Sequence, residues 1–159
     1  MIDPTQWKQI RKLINTTFTR QFHVAIASVD SDGKPTNTPI GSLFLNCDQT
    51  GFYFEKFPSK LPKSAQNNKN ICVLAVNSGR WFWLKGLYKN KFNSSPGIKL
   101  YGTLGISRKA TAIEISRLKK RMKITKSLKG NAYLWGDMSV IREINFTHYE
   151  EINLGEMTQ

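Results

Sequence analysis

Hydrophobic positions along the chain first change period near its start. In DPTQWKQIRKLINTTF, Trp7, Ile10, Ile14 and Phe18 recur at helical spacing. Asp3 can cap the first turn, Pro4 suits the first helical position, and Gln6 stands where a capping box closes. The pattern predicts an amphipathic helix over 3–18 that lies on the main body. From about residue 20 the period drops to two. FHVAIASV (22–29) reads as a strand and DSDG (30–33) as a turn. KPTNTPIGSLFLN (34–46) reads as a second strand, interrupted by Pro39 and Gly41. Those two residues imply an edge, a bulge or a close approach to backbone. After the turn NCDQTG (46–51), GFYFEKF (51–57) is a third strand and ICVLAV (71–76) a fourth. RWFWLKGLY (80–88) reads as a fifth strand or a strand extension, and GIKLYGTLGIS (97–107) as a further one. Thr111 and Glu114 form a capping box that opens a helix over 112–124. NAYLWGDM (131–138) reads as loop, and VIREINFTHYEEINL (140–154) as the last strand. Short strands joined by tight turns predict a mainly β fold: a small antiparallel barrel with peripheral helices. The barrel occupies about 20–107 and 139–154 of one domain spanning 1–159.

Composition narrows the classes of function. A chain of 159 residues, 40% hydrophobic and 22% charged, can bury one sizeable core. The longest plain apolar run is ICVLAV, far short of a bilayer span, and no apolar stretch follows Met1. No membrane partner is expected. Cys47 and Cys72 are too few for a disulfide framework and read as reduced residues of a cytoplasmic protein. His23 and His148 are the two histidines, with no carboxylate or cysteine at ligand spacing, so no metal is expected. Nothing suggests a Ser-His-Asp triad.

The net charge of +13 favours anionic partners: nucleic acid, an acidic membrane surface, or phosphorylated small molecules. Residues 108–129 carry a large share of it. In the 112–124 helix, Arg117, Lys119, Lys120, Arg121 and Lys123 surround an apolar stripe of Ile115, Leu118 and Met122. They form no aromatic-interleaved groove, so a solvated amphipathic helix is preferred to a nucleic-acid surface.

GFYFEKFPSKLPKSAQNN (51–68) is the most suggestive stretch, an aromatic strand that runs into a loop rich in serine and lysine. Ser59, Lys60 and Lys63 could grip a phosphate dianion through charge-assisted bonds, or simply form a solvated loop. The ordered set DSDGKP, TPIGSLF, GFYFEKFPSKLPKSAQNNKNICVLAV and GIKLYGTLG resembles the pyridoxamine 5'-phosphate oxidase-like FMN-binding split-barrel family over roughly residues 20–150. The resemblance implies a homodimer with FMN at the subunit interface. The third-strand aromatic segment would flank the flavin ring, and the loop after it would hold the phosphate. The chain departs from true pyridoxamine 5'-phosphate oxidases. NTPIGSLFL lacks their Arg and Lys, and INFTHYEEINL lacks their C-terminal basic residues. The resemblance therefore implies the cofactor frame and not the vitamin B6 substrate.

On that frame, Thr38, Pro39, Ile40, Gly41 and Ser42 could line the ring. Gly41 would admit backbone amides and Ser42 would offer a hydroxyl, with a simple bulge as the alternative. Glu55, Lys56 and Phe57 stand where the family places main-chain contacts to the ring's pyrimidine edge, with a solvent-facing strand as the alternative for Glu55 and Lys56. Trp81 and Trp83, as strand residues, share a face and could cover the ring from the partner chain. Trp135 has the same option, and core or interface packing is the alternative for all three. No residue is assigned to catalysis and no substrate is named. The leading expectation is a flavin-dependent oxidoreductase, in which flavin supplies the redox chemistry. The alternative is a non-catalytic module, either a flavin carrier or a single-stranded nucleic-acid-binding barrel.

Overall fold

The structure is a computed structural model that describes every residue except Met1, Pro58 and Ser59. Helix α1 runs from Pro4 to Gln21. Asp3 accepts from Thr5 N at 2.8 Å and Gln6 N at 3.4 Å, so its half of the expected cap forms. The stripe of Trp7, Ile10, Ile14 and Phe18 is buried, and α1 ends at Phe22 in the left-handed region (φ 61°). Trp7 donates its indole N–H to Asn46 O at 2.8 Å, which fixes the helix to the barrel.

Seven strands follow, all antiparallel. They are β1 (Val24–Val29), β2 (Pro35–Ile40), β3 (Phe44–Leu45), β4 (Thr50–Phe54), β5 (Asn70–Val76), β6 (Gly97–Lys109) and β7 (Val140–Glu151). Their order in the sheet is β2-β1-β5-β6-β7-β4-β3. The two outermost strands, β2 and β3, are consecutive in the chain, with only Gly41, Ser42 and Leu43 between them. Four Cα steps of 3.8 Å span at most about 15 Å, so both edges of the sheet must come together. The sheet therefore curls into a barrel that is split between β2 and β3.

The second strand read from sequence is thus two strands broken at Gly41–Leu43. The break is pinned by Ser42, whose hydroxyl accepts from Phe54 N at 3.1 Å and donates to Phe54 O at 3.3 Å. Edge strand β3 is blunted by helix α4 (Ala112–Arg121). Arg117 donates to Leu45 O at 2.9 Å and Asn46 Oδ1 at 2.7 Å, and Arg121 donates to Leu43 O. The Arg121 guanidinium lies 3.6 Å from the Phe44 ring centroid and 4.2 Å from that of Phe18. Its pKa is lowered by burial and then by the charge of Arg117. Carbonyls that could template another strand are thereby occupied. The expected Thr111–Glu114 capping box is present in both directions, at 2.7 and 3.3 Å.

The remaining helices are α2 (Lys60–Asn67), α3 (Arg80–Lys89) and α5 (Lys129–Trp135); a 3-10 turn, Met122–Thr125, extends α4, and another forms at Gly155–Thr158. Two of these replace sequence expectations. Residues 80–88 form α3 and not a strand. The aromatic alternation imitates a strand, but RWFWLKGLYKNKF contains no β-branched residue and is rich in helix formers. The expected loop at NAYLWGDM contributes to α5. One core fills the barrel, joining α1 to Ile26, Val73, Leu100 and Ile144. A second, with Phe44, Phe52, Phe54, Leu118, Met138 and Ile141, lies under α4.

Candidate functional site

The split in the barrel gathers several of the expected residues. A Cβ on Gly41 would lie 2.8 Å from the Trp135 ring and 3.0 Å from Phe22 O. The Trp135 ring, half-buried against the second core, therefore fills the space that Gly41 leaves. Downstream of β4, Lys56 donates to Tyr133 O at 3.0 Å and stands 5.3 Å from the Phe57 ring centroid. The Phe57 and Tyr133 rings are 5.9 Å apart and tilted, and both are exposed. Gly41, Lys56, Phe57, Tyr133 and Trp135 thus form an aromatic shelf where β4 ends against α5. Tyr133 was not expected from the sequence, because its place depends on α5.

Lys60 and Lys63 are exposed on the first turn of α2, while Leu61, Ser64 and Ala65 face the core. Neither lysine makes an ion pair among the described residues. Pro62 is tolerated there because first-turn amides have no helical partner. Those free amides and two lysines at i and i+3 favour an anion. Ser59, the third expected phosphate contact, lies outside the described residues.

Along β2, Thr38 is half-buried, Pro39 is exposed and Ile40 is buried in the main core. Ile40 offers no side-chain surface to a ligand, and the Ser42 hydroxyl is consumed by Phe54. Glu55 does not take the solvent-facing alternative. Its side chain is 10% exposed and pairs with Arg142, itself 16% exposed, at 2.6 Å. Glu55 also accepts from Tyr53 OH at 3.1 Å and Ser107 Oγ at 2.8 Å, and its backbone N–H donates to Val140 O at 2.9 Å. Register makes Tyr53, Arg142 and Ser107 neighbours across β4, β7 and β6. Burial, then the Glu55 charge, pushes the Tyr53 hydroxyl far above its ordinary range, so it remains a donor. This network anchors the residue that immediately precedes Lys56 and Phe57 in the chain.

Trp81 and Trp83 are not brought to the shelf within one chain. Their helix leaves the Val76 end of β5, whereas α2 enters at the Asn70 end. A strand of this length separates those ends by about 20 Å. Nor do the two indoles share a face, since helix positions two apart diverge by about 200°. Trp81 is exposed; Trp83 turns inward and donates its indole N–H to Asn77 O.

Neither protein-family models nor curated protein sequences match the chain. Solved structures do. HupZ from Group A Streptococcus is 19% identical with a TM-score of 0.60, covering 98% of this chain and 97% of its own. An FMN-binding protein from Syntrophomonas wolfei is 14% identical with a TM-score of 0.61, covering 96% and 95%. A proposed pyridoxamine 5'-phosphate oxidase from Lactobacillus delbrueckii is 16% identical with a TM-score of 0.51, covering 87% and 90%. The names of others differ in cofactor: an F420 reductase and a heme storage protein from Vibrio cholerae. The chain therefore has the split-barrel fold shared by FMN-binding and pyridoxamine 5'-phosphate oxidase-like proteins.

Proposed function

We propose that the protein binds FMN at the split of its barrel and acts, as a homodimer, as a flavin-dependent oxidoreductase on a small molecule. The observation that carries this reading is the aromatic shelf of Phe57, Tyr133 and Trp135 beside the lysine-bearing first turn of α2, within a fold that a FMN-binding protein shares. The donor set suits the cofactor. Lys60 and Lys63 would take the phosphate. Trp135, and not the covered Gly41, would meet the ring beside Phe57 and Tyr133. Bound FMN would supply hydride or electron transfer. The residues around it would bind, orient and exclude water. The shelf is open on its outer side, so a second copy of the chain would complete the site and give two equal pockets.

The experiment is a visible spectrum of the purified protein, followed by FMN titration with fluorescence quenching. Flavin absorption with one FMN per chain is expected, and a mass near twice 18.2 kDa by light scattering. Lys60→Ala/Lys63→Ala should weaken binding by about 1.5–3 kcal/mol for each charged hydrogen bond lost. Unchanged affinity would remove the lysines from the site. Failure to take up FMN, or a Soret band in place of flavin absorption, would reject the reading. A monomer with full FMN affinity would reject the shared site.

A further inference from the structure

Strands β5 and β6 are antiparallel neighbours, which a loop of about two to five residues can join. The connection here runs from Asn77 to Pro96 and folds into α3. One side of α3 is sealed. Phe82 stacks on Phe92 at 5.1 Å, and Trp83 meets the same ring edge-on at 5.2 Å. Gly86 is buried because a Cβ there would lie 2.2 Å from Phe92. The opposite side carries Trp81, Leu84 and Tyr88 at i, i+3 and i+7, which are 84%, 56% and 92% exposed. Aromatic and aliphatic side chains thus occupy two opposite sides of α3, more than a surface helix with one buried stripe needs. The helix lies outside the barrel with one side uncovered.

Charge decides what covers it. Arg80, Lys85 and Lys89 share α3 with the stripe, Lys91 follows just after it, and the chain has no Asp or Glu from Lys56 to Ile113. At the start of α3, Arg20 lies against Gly79 and donates to Asn77 Oδ1 at 2.6 Å, adding another cation. A second copy docked stripe to stripe would set these cations against their own kind. An anionic lipid surface matches both features. Tryptophan and tyrosine settle at headgroup depth, and lysine stems lie along the apolar boundary with their ammonium groups at the phosphates.

We propose that α3 docks on anionic membranes, with Trp81, Leu84 and Tyr88 at the headgroup–acyl boundary and Arg80, Lys85 and Lys89 on lipid phosphates. This is surface docking; no helix among the described residues is long and apolar enough to cross a bilayer. The expectation of no membrane partner rested on the absence of a span, and residues 80–88 were separately read as a strand. In a strand, the stripe and its cationic border do not exist.

The test uses the full chain with vesicles of phosphatidylcholine alone, or with about one-third phosphatidylglycerol. Sedimentation with the anionic vesicles only, a blue shift in tryptophan emission and quenching by brominated lipid are expected. Trp81→Ser should abolish the quenching. Trp81→Ser/Tyr88→Ser should lower partitioning about tenfold or more with the unfolding midpoint unchanged, since both residues are exposed. A protein of net charge +13 can also adhere by charge alone. In that case the double variant would sediment like the parent without brominated-lipid quenching, which overturns the proposal. So would absence of binding to anionic vesicles at low salt. A dimer that Trp81→Ser converts to monomer without lipid would show the stripe to be a subunit interface, and would overturn it as well.

Discussion

Removing Arg142 should be among the most damaging single changes away from the apolar core. Its guanidinium donates to Glu55 through Nε at 2.6 Å and Nη2 at 3.3 Å, and to Gly105 O at 3.1 Å. Both side chains are mostly withdrawn from water, at 16% and 10% exposure. An exposed pair would be worth at most about 1 kcal/mol. A largely buried carboxylate stripped of its cation costs about 3–5 kcal/mol. Arg142→Met leaves Glu55 with only two hydroxyl donors, Tyr53 and Ser107, so the upper half of that range is expected. Glu55→Gln should cost less, because an amide oxygen still accepts from Arg142, although the guanidinium then lacks a counter-charge. Arg142→Met/Glu55→Gln should cost less than the two singles combined, by about 2 kcal/mol. Urea unfolding followed by tryptophan fluorescence reads all four proteins. Single losses below about 1 kcal/mol, or strict additivity, would sink the argument that a buried charge governs the cost.

Gly86→Ala would stabilise an ordinary exposed helix by about 1 kcal/mol. Here the new methyl meets the buried Phe92 ring, so thermal denaturation should show a loss of about 1–3 kcal/mol; a gain would mean that α3 can pivot freely. Hydrogen bonding from Arg108, opposed by burial, holds the Glu114 carboxyl below its ordinary value of 4.5. Its contribution is therefore complete above that value and is lost as pH falls through the lower folded pKa. Glu114→Gln should be destabilised at pH 7 and converge on the parent in acid; a gap independent of pH would contradict this.

The strands were legible because alternation and turn chemistry act within a few residues. The Pro39–Gly41 interruption carried information too: it marks the corner that splits the barrel. Residues 80–88 misled because Trp81 and Trp83 alternate as strand residues would. Their helical state rests on Phe92, which lies beyond the segment and packs on Phe82 and Trp83. The short α5 has no side-chain cap and contains Gly130, so little local signal announces it. Contacts from Lys56 and Gly41 hold it in place. Glu55 looked like an exposed charge because its partner, Arg142, is 87 residues away. Which carboxylate is buried depends on register between strands, and local periodicity does not encode register across such distances.

The order of strands also sets the order in which the chain can become safe from aggregation. During synthesis β1 can pair at once with β2, and β5 with β6, since each pair is close in sequence. Strand β4 must wait, because its long-range partner is β7: Thr50 pairs with Asn145 and Phe54 with Ile141. Until β7 emerges, Phe52, Tyr53 and Phe54 lie on a strand with one edge open, and Phe52 and Phe54 have no second core to enter. A nascent or truncated chain lacking β7 thus exposes an aromatic strand edge, the part most prone to pair with another chain. The closure that gives the mature barrel its shelf is therefore also the late, non-local step of its folding.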